Sequence, residues 1–460
     1  MIRRPPRSTH CISSAASDVY KRQFMSGIAQ LAIQKGFKVS GCDENIYPPI
    51  SNVLKELEIK VDQGFETKNY SKNIDLFIVG NVVSRGNPLM EKILNNKNEY
   101  LSGPEFLYQY ILKDRHVISV SGTHGKTTTS AMISKILMDA KVDTGYLIAG
   151  KVNGFDTSAK LGNNDFFVVE SDEYDTSFFD KRSKFVHYRP STLLINNLEF
   201  DHADIFDNLD SIKKQFHNLI RSMPSNAKVI FPEDDENVES LINQGLYSKK
   251  ETFNYQFSPK GWSVKPNESC DDNFEIYFDG KLRGKISWHL FGEHNLRNAL
   301  AAFVTASSLG IDDEIITKAL SSFKGVSRRM ELKGQNDSVS VYDDFAHHPT
   351  SIKYSLEGLR KKVGDQKIIC LLEMRSNTMS AGYHDEVIPK SLECADKVFL
   401  FSKNEKQIKK IALKSEKFSI CSGTEELLKI LPKELVSDTH IICLSNGSFG
   451  QIYQKILESF

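Results

Sequence analysis

Residues 117–129 read Val117-Ile118-Ser119-Val120-Ser121-Gly122-Thr123-His124-Gly125-Lys126-Thr127-Thr128-Thr129. An apolar, β-branched run passes through a glycine loop into Lys-Thr. Met132, Ile133, Ile136, Leu137 and Ala140 then follow at the spacing of an amphipathic helix. Backbone N–H groups of such a loop, together with the helix N-terminus, cradle phosphate oxygens. Gly122, Thr123, His124, Gly125, Lys126, Thr127 and Thr128 are therefore the expected nucleotide-binding residues. Lys126 would reach the β/γ-phosphates, and the Thr127 hydroxyl would ligate Mg²⁺. The loop is tighter than GxxxxGK[ST], because Val120 stands five residues before Gly125. A strand–loop–helix unit of this kind belongs to a parallel α/β sheet, whose ligands gather at the carboxyl ends of the strands.

Working outward, two further strands end in chemistry. Phe166-Phe167-Val168-Val169 runs into Glu170, followed by Ser171-Asp172-Glu173-Tyr174-Asp175. Ile195-Asn196-Asn197-Leu198-Glu199-Phe200-Asp201 leads to His202. An acidic cluster alone is usually a solvated loop, and a lone histidine is more often structural. Thr127, Glu170 and His202 at three strand ends of one domain instead predict a shared metal–phosphate site, with Lys126, Glu170 and His202 as catalytic candidates. Further on, His294, Asn295 and Asn298 open a helix expected over 295–308. They could meet an adenine edge, although a helix cap at Asn295 explains the local sequence equally well. The last block offers Arg328-Arg329, then Tyr342-Asp343-Asp344-Phe345-Ala346-His347-His348-Pro349, then Glu373-Met374-Arg375-Ser376-Asn377-Thr378. A Pro-started helix accounts for Pro349 but not for both histidines. Its strands are expected at 339–343, 367–372, 397–401 and 440–445.

At 460 residues the chain has room for about three domains and needs no disulfide staple. Its 59 basic and 59 acidic side chains cancel. That removes any whole-protein argument for nucleic acid or an anionic membrane. No run approaches the roughly 18 apolar residues of a transmembrane helix. The seven cysteines lie singly, without metal spacing, as reduced core residues of a cytoplasmic protein do.

The charge balance hides an asymmetry. Residues 1–23 carry five basic side chains and one acid, which leaves 54 basic against 58 acidic in the remainder. This leader lacks the apolar core of a secretory signal, and its Arg- and Ser-rich, acid-poor composition is that of a mitochondrial transit peptide. From Phe24 a helix begins, followed by a strand at 37–40 and Gly41-Cys42-Asp43. That is the second half of a nucleotide-binding β-loop-α-β unit without its first strand. A helix entering without its strand points to replacement, so residues 1–23 are read as foreign sequence.

The ordered set of Gly122–Thr128, Glu170, Asp201-His202, His294-Asn295 with Asn298, Arg328-Arg329 and Asp343 to Pro349 resembles the Mur ligases, the ATP-dependent amide-forming enzymes of peptidoglycan synthesis. The resemblance covers nearly all of residues 24–460. Tyr47-Pro48-Pro49, Asp180 to Pro190, Glu199 to Phe206 and Arg375 to Met379 are most similar to the branch that adds a preformed murein tripeptide in cell-wall recycling. The resemblance implies a three-domain α/β architecture. A Rossmann-like UDP-sugar domain would span 24–115, a P-loop ATPase domain 116–325, and a Rossmann-like peptide- and nucleotide-binding domain 326–460. It implies ATP and Mg²⁺ as cofactors, and UDP-N-acetylmuramate and L-Ala-γ-D-Glu-meso-diaminopimelate as substrates of a monomer. His294, Asn295, Asn298, Arg329 and Asp344 would then hold ATP. His347 and Arg375 would face the incoming peptide, and Gly27, Asp43, Asn81 and Asn87 the UDP end. Some relatives carry a carbamylated lysine after the Asp-His pair, and Lys213 and Lys214 lie in that neighbourhood.

Two alternatives stay open at this point: the relative that adds a single L-alanine, and a P-loop protein that binds nucleotide without ligating. A folylpolyglutamate-synthase-like ligase is disfavoured by the domain that precedes residue 115.

Overall fold

The computed structural model describes residues 8–12, 19–44, 46, 50–267, 272–336 and 338–459. Tyr47-Pro48-Pro49 lies outside the described residues. The chain divides into two compact units. One comprises Met1–Glu199, Leu209–Asn254 and Ala301–Leu320, the other Phe200–Asn208, Tyr255–Leu300 and Ser321–Phe460. Among the described residues, no helix is long and apolar enough to cross a membrane, and Cys42, Cys370, Cys394, Cys421 and Cys443 are free thiols.

The first unit holds two sheets. The smaller has the order Lys60–Gln63, Lys38–Asp43, Ser8–Ile12, Leu76–Val79, Tyr100–Ser102, with every pair parallel. Its central strand corrects the expectation that this domain lacks an opening strand. Ser8–Ile12 pairs with Lys38–Cys42 on one side, and Thr9–Ile12 with Leu76–Val79 on the other. A five-residue run of mixed polarity gives little apolar signal. A strand paired on both edges, however, draws its stability from main-chain hydrogen bonds that do not depend on side-chain identity. The following helix, Val19–Gln34, likewise starts before Phe24.

Gly27 lies inside that helix and not in a ligand loop. A Cβ there would come 2.2 Å from Leu147 Cδ1, so the residue is a close-packing position between the helix and the strand Gly145–Leu147.

The larger sheet of this unit runs Lys249–Asn254, Lys228–Pro232, Thr192–Ile195, His116–Ser121, Phe166–Glu170, Gly145–Leu147, Ala159–Lys160. It is parallel except for its last pair. His116–Ser121 therefore sits between the strands that end in Glu170 and Ile195, and this register brings three chemistry-bearing strand ends side by side. The helix after it, Lys126–Asp139, is not amphipathic as expected. Apart from Lys135, every residue from Lys126 to Leu137 is buried, and the small polar residues Thr129, Ser130 and Ser134 lie within the core.

The second unit contains three successively paired antiparallel strands, Trp262–Pro266, Asn273–Phe278 and Lys281–Ser287. It also contains a six-stranded sheet in the order Glu331–Gln335, Val339–Asp344, Thr439–Leu444, Ile368–Glu373, Lys397–Phe401, Phe418–Ile420. Only its first pair is antiparallel. Ile368, Cys370 and Leu372 enter one core with Leu356 and Leu359, while Ile369 and Leu371 enter another with Ile452 and Ile456. Both faces are covered, as an almost wholly parallel sheet requires. The helix Pro349–Val363 is capped by His348, whose ring accepts the Thr350 N–H. That cap accounts for one of the two histidines that the sequence left unexplained.

Replacing Gly27 by valine should lower stability by about 1–3 kcal/mol, because the added side chain must displace Leu147. The midpoint of thermal unfolding measures this, and an unchanged midpoint would show that the contact relaxes freely.

Candidate active site

The glycine loop is shaped by two backbone requirements. Gly122 has φ +125 and Gly125 φ +81, a region that favours glycine. A Cβ on Gly122 would lie 2.9 Å from the Asn197 carbonyl. The loop rests on the segment after the neighbouring strand. The His124 N–H donates to Asn197 Oδ1 at 2.8 Å, the Thr123 hydroxyl donates to the Glu199 carbonyl at 3.1 Å, and Asn196 Nδ2 donates to Thr129 Oγ1 at 3.0 Å. Asn196 and Asn197 thus template the loop, a role the sequence did not reveal. Their only signal was their place just beyond a strand end.

Lys126 folds back over its own loop. Its ammonium donates to the Gly122 carbonyl at 2.7 Å and to Glu173 Oε2 at 3.3 Å. Burial alone would lower its pKa, but Glu173, Glu170 and Asp172 outweigh burial and hold it above the ordinary lysine value. The Thr127 hydroxyl donates to Glu170 Oε1 at 2.8 Å, and the other oxygen of Glu170 accepts the Ala149 N–H at 2.9 Å. A hydroxyl and a carboxylate held together in a buried corner are the hard oxygen donors that Mg²⁺ takes, so these residues fit the metal. The loop N–H groups and Lys126 fit a polyphosphate. A second buried lysine, Lys184, pairs with Asp172 at 3.1 Å and lies 5.0 Å from the centre of the Phe24 ring.

The other sequence-predicted residues fall as follows. Asp43 is buried at the end of its strand and lines a cavity of about 50 Å³ with Met25, Ser26, Ala29, Cys42 and Ile50. Asn81 follows the strand Leu76–Val79. Asn87 instead caps the helix Pro88–Asn95, accepting the Leu89 and Met90 N–H groups, so its side chain already has a structural task. Lys213 is buried and donates to Ser240 at 3.3 Å, whereas Lys214 is exposed.

In the second unit the expected cap at Asn295 is corrected. The helix begins at Glu293, and Asn295 lies in its first turn with its side-chain amide donating to the Phe291 carbonyl at 2.8 Å. His294 stacks on Tyr354 with ring centres 6.5 Å apart, and its Nδ1 has no hydrogen-bond partner. Burial and then Arg329 push its pKa down to about 4. Asn298 is buried on the same helix. Asp344 accepts the N–H groups of Met330 at 2.8 Å and Ala346 at 2.7 Å. It thereby fixes the turn on which Arg329 sits, 5.0 Å from the centre of the Phe345 ring. Burial raises the Asp344 carboxyl, against the pull of Arg329.

His202 also belongs to this unit and has φ +58. His347 Nδ1 donates to the Phe345 carbonyl at 3.0 Å, and its Nε2 stands 4.0 Å from Asp201 Oδ2. The guanidinium of Arg375 lies in the space that a side chain on Gly447 would fill. The structure therefore gathers Lys126, Thr127 and Glu170 in one unit, and His294, Arg329 and Asp344 with Asp201, His202 and His347 in the other. It places Gly27 within the helix Val19–Gln34, packed against Leu147, and not in a loop.

Comparison with known proteins places these sites in a family. Residues 21–115 match the Mur ligase family catalytic domain, 120–306 the Mur ligase middle domain, and 328–447 the Mur ligase glutamate ligase domain. The chain belongs to the Mur ligase family, whose members are ATP-dependent enzymes that form amide bonds. It is 44% identical to the UDP-N-acetylmuramate–L-alanyl-γ-D-glutamyl-meso-2,6-diaminoheptandioate ligase of Escherichia coli K12, over 95% of each chain. It is 40% identical to the same ligase of Haemophilus influenzae, over 95% of this chain and 96% of that one. A UDP-N-acetylmuramate–L-alanine ligase of Clostridium acetobutylicum is 31% identical over 79% of this chain and 77% of its own.

Among solved structures, a murein peptide ligase from Psychrobacter arcticus superposes with a TM-score of 0.75 at 34% identity, covering 98% of both chains. The UDP-N-acetylmuramate–alanine ligase of Thermotoga maritima reaches 0.78 at 20% identity and 98% coverage of both chains. At that identity the likeness speaks for the fold alone.

Because His294 is held neutral in the folded protein, the unfolded chain gains a proton at this position first as pH falls. Stability contributed here is lost between about 6.5 and about 4. Relative to His294→Gln, the wild-type protein should therefore lose stability across that interval. Parallel unfolding midpoints at all pH values would refute the assignment.

Proposed function

We propose that this chain is an ATP-dependent ligase that joins L-Ala-γ-D-Glu-meso-diaminopimelate to UDP-N-acetylmuramate in the recycling of peptidoglycan. The carrying observation is the 44% identity over 95% of the chain to the E. coli tripeptide ligase. The 31% identity over 79% to an L-alanine ligase is weaker in both respects. The chemistry of the site supports it. A carboxylate oxygen of the sugar's lactyl group attacks the γ-phosphorus of ATP, and ADP leaves. The peptide amine then attacks the acyl carbon of the resulting acyl phosphate, loses a proton and expels phosphate, leaving an amide.

Carboxylate attack on a polyphosphate crowds negative charge, so the site must supply cations at the transferring group. Lys126 is already held as an ammonium by Glu173. Magnesium, when bound, adds charge neutralisation at the phosphoryl oxygens. Thr127, Glu170 and His202 are its proposed ligands, and Lys126, Glu170 and His202 the catalytic group.

Gly122 to Thr128 take the phosphates, while His294, Asn295, Asn298, Arg329 and Asp344 serve the nucleotide. Asp343 does not share that task, since it is engaged by Arg328 at 3.1 Å. Asp43 and Asn81 face the UDP end, and His347 and Arg375 the tripeptide. In this reading 24–115, 116–325 and 326–460 divide sugar binding, ATP binding and peptide binding. The protein works as a monomer in the cytoplasm, where its free cysteines stay reduced.

ADP release, coupled to an optical readout, should be fastest with UDP-N-acetylmuramate and the tripeptide together. Faster turnover with L-alanine would overturn the substrate assignment. ATP binding with no turnover on either pair would leave a nucleotide-binding protein. Lys126→Ala should lower turnover at least ~100-fold, the scale of losing one electrostatic stabiliser, and should also lower the unfolding midpoint, because Glu173 is left buried without its partner.

A further inference from the structure

His202 sits in the left-handed region with φ +58. A non-glycine residue persists there only where its surroundings over-determine the conformation. Asp201, Ile205, Phe206 and Thr378 all lie within the second unit, to which both Phe200–Asn208 and the chain after Ser321 belong. Asp201 Oδ1 accepts the N–H of His202 at 2.7 Å, and the carbonyl of His202 accepts the N–H groups of Ile205 and Phe206. A further constraint comes from one distant hydroxyl. Thr378 Oγ1 donates to Asp201 Oδ1 at 3.0 Å and accepts the Ala203 N–H at 3.1 Å. It therefore grips the chain on both sides of His202.

Thr378 is itself fixed. It is 2% exposed and stands on the short helix Asn377–Ser380, which Ser376 caps. Gln407 Nε2 donates to the Met379 carbonyl at 2.5 Å, anchoring that helix to the helix Glu405–Ala412. The carbonyl of Phe200, one residue before Asp201, accepts a hydrogen bond from His348 Nε2 at 3.2 Å. Only a hydroxyl can donate and accept at once in this position. Valine has the same shape and does neither, whereas serine keeps both bonds.

We propose that Thr378 is a positioning residue that sets the direction of the His202 side chain for metal binding. This rests on His202 being a metal ligand, as read above. Partners that orient a ligand without touching the metal commonly change affinity by about 10–100-fold.

The test is Mn²⁺ binding to the full-length protein with a non-hydrolysable ATP analogue, followed by electron paramagnetic resonance. Amide hydrogen exchange at Ala203 is measured alongside it in the metal-free protein. Thr378→Val should weaken Mn²⁺ binding about 10–100-fold and speed Ala203 exchange, while Thr378→Ser stays within about three-fold of wild type. Thr378→Ala is read in the same way and serves if the valine variant does not fold. Wild-type Mn²⁺ affinity in both the valine and alanine variants would overturn the proposal, as would a serine variant as impaired as the valine one. His202→Ala separates the two levels. If it leaves Mn²⁺ affinity intact, the metal-ligand reading falls. If it weakens binding while Thr378→Val does not, only the role of Thr378 falls.

Discussion

The structure of the catalytic unit depends on burying the ammonium of Lys126. A cation in a dry environment is tolerated only when opposite charge and hydrogen bonds surround it. Here Glu173 and two loop carbonyls do so. Two buried lysines, Lys126 and Lys184, meet three buried carboxylates, Glu170, Asp172 and Glu173. The fixed charges of the pocket thus carry one excess negative charge. A polyphosphate arriving alone would add repulsion, and a divalent cation arriving with it offsets part of that charge. The sheet order follows the same need, because only neighbouring strands could bring Lys126, Glu170 and Asn197 within reach of one loop.

The second unit uses its carboxylates differently. Asp344 and Asp201 spend their oxygens chiefly on backbone N–H groups and a hydroxyl. They shape the turns that carry Arg329 and His202. Desolvation would raise the Asp201 carboxyl, but His202, His347 and His348 together hold it well below the usual carboxylate range. The contacts that Asp344 and Asp201 make within this unit thus hold backbone in place.

The legible part of the fold was what periodicity and strand ends encode. His116–Ser121 and Lys397–Phe401 lie where the apolar runs put them, and the other C-terminal strands agree within a residue. Lys126, Thr127 and Glu170 were legible because their chemistry coincides with their position in the strand–loop–helix unit. Long-range partners were not. Glu173 looked like one member of a solvated acidic run, and Thr378 like an ordinary residue after Arg375. Neither Asn197 nor Thr378 has a sequence neighbour that hints at its partner. The packing role of Gly27 is likewise not legible, because Leu147, the side chain it admits, is far away in the sequence. In the helix Lys126–Asp139 the apolar spacing marks one face, but the burial of its threonines and serines depends on neighbours that the spacing does not encode.

Ser8–Ile12 occupies the middle of the smaller sheet, between Lys38–Asp43 and Leu76–Val79. Its neighbours each offer it a row of main-chain donors and acceptors. A chain cut at Val19 would therefore present two facing, unsatisfied strand edges with the spacing of a missing strand between them. Such a slot is a template for any extended segment. Loss of these five residues would be felt first as stickiness, with a second chain or a stray peptide completing the sheet, before any effect on the phosphate loop. Conversely, a synthetic strand added in trans to the shortened chain would have a ready-made berth.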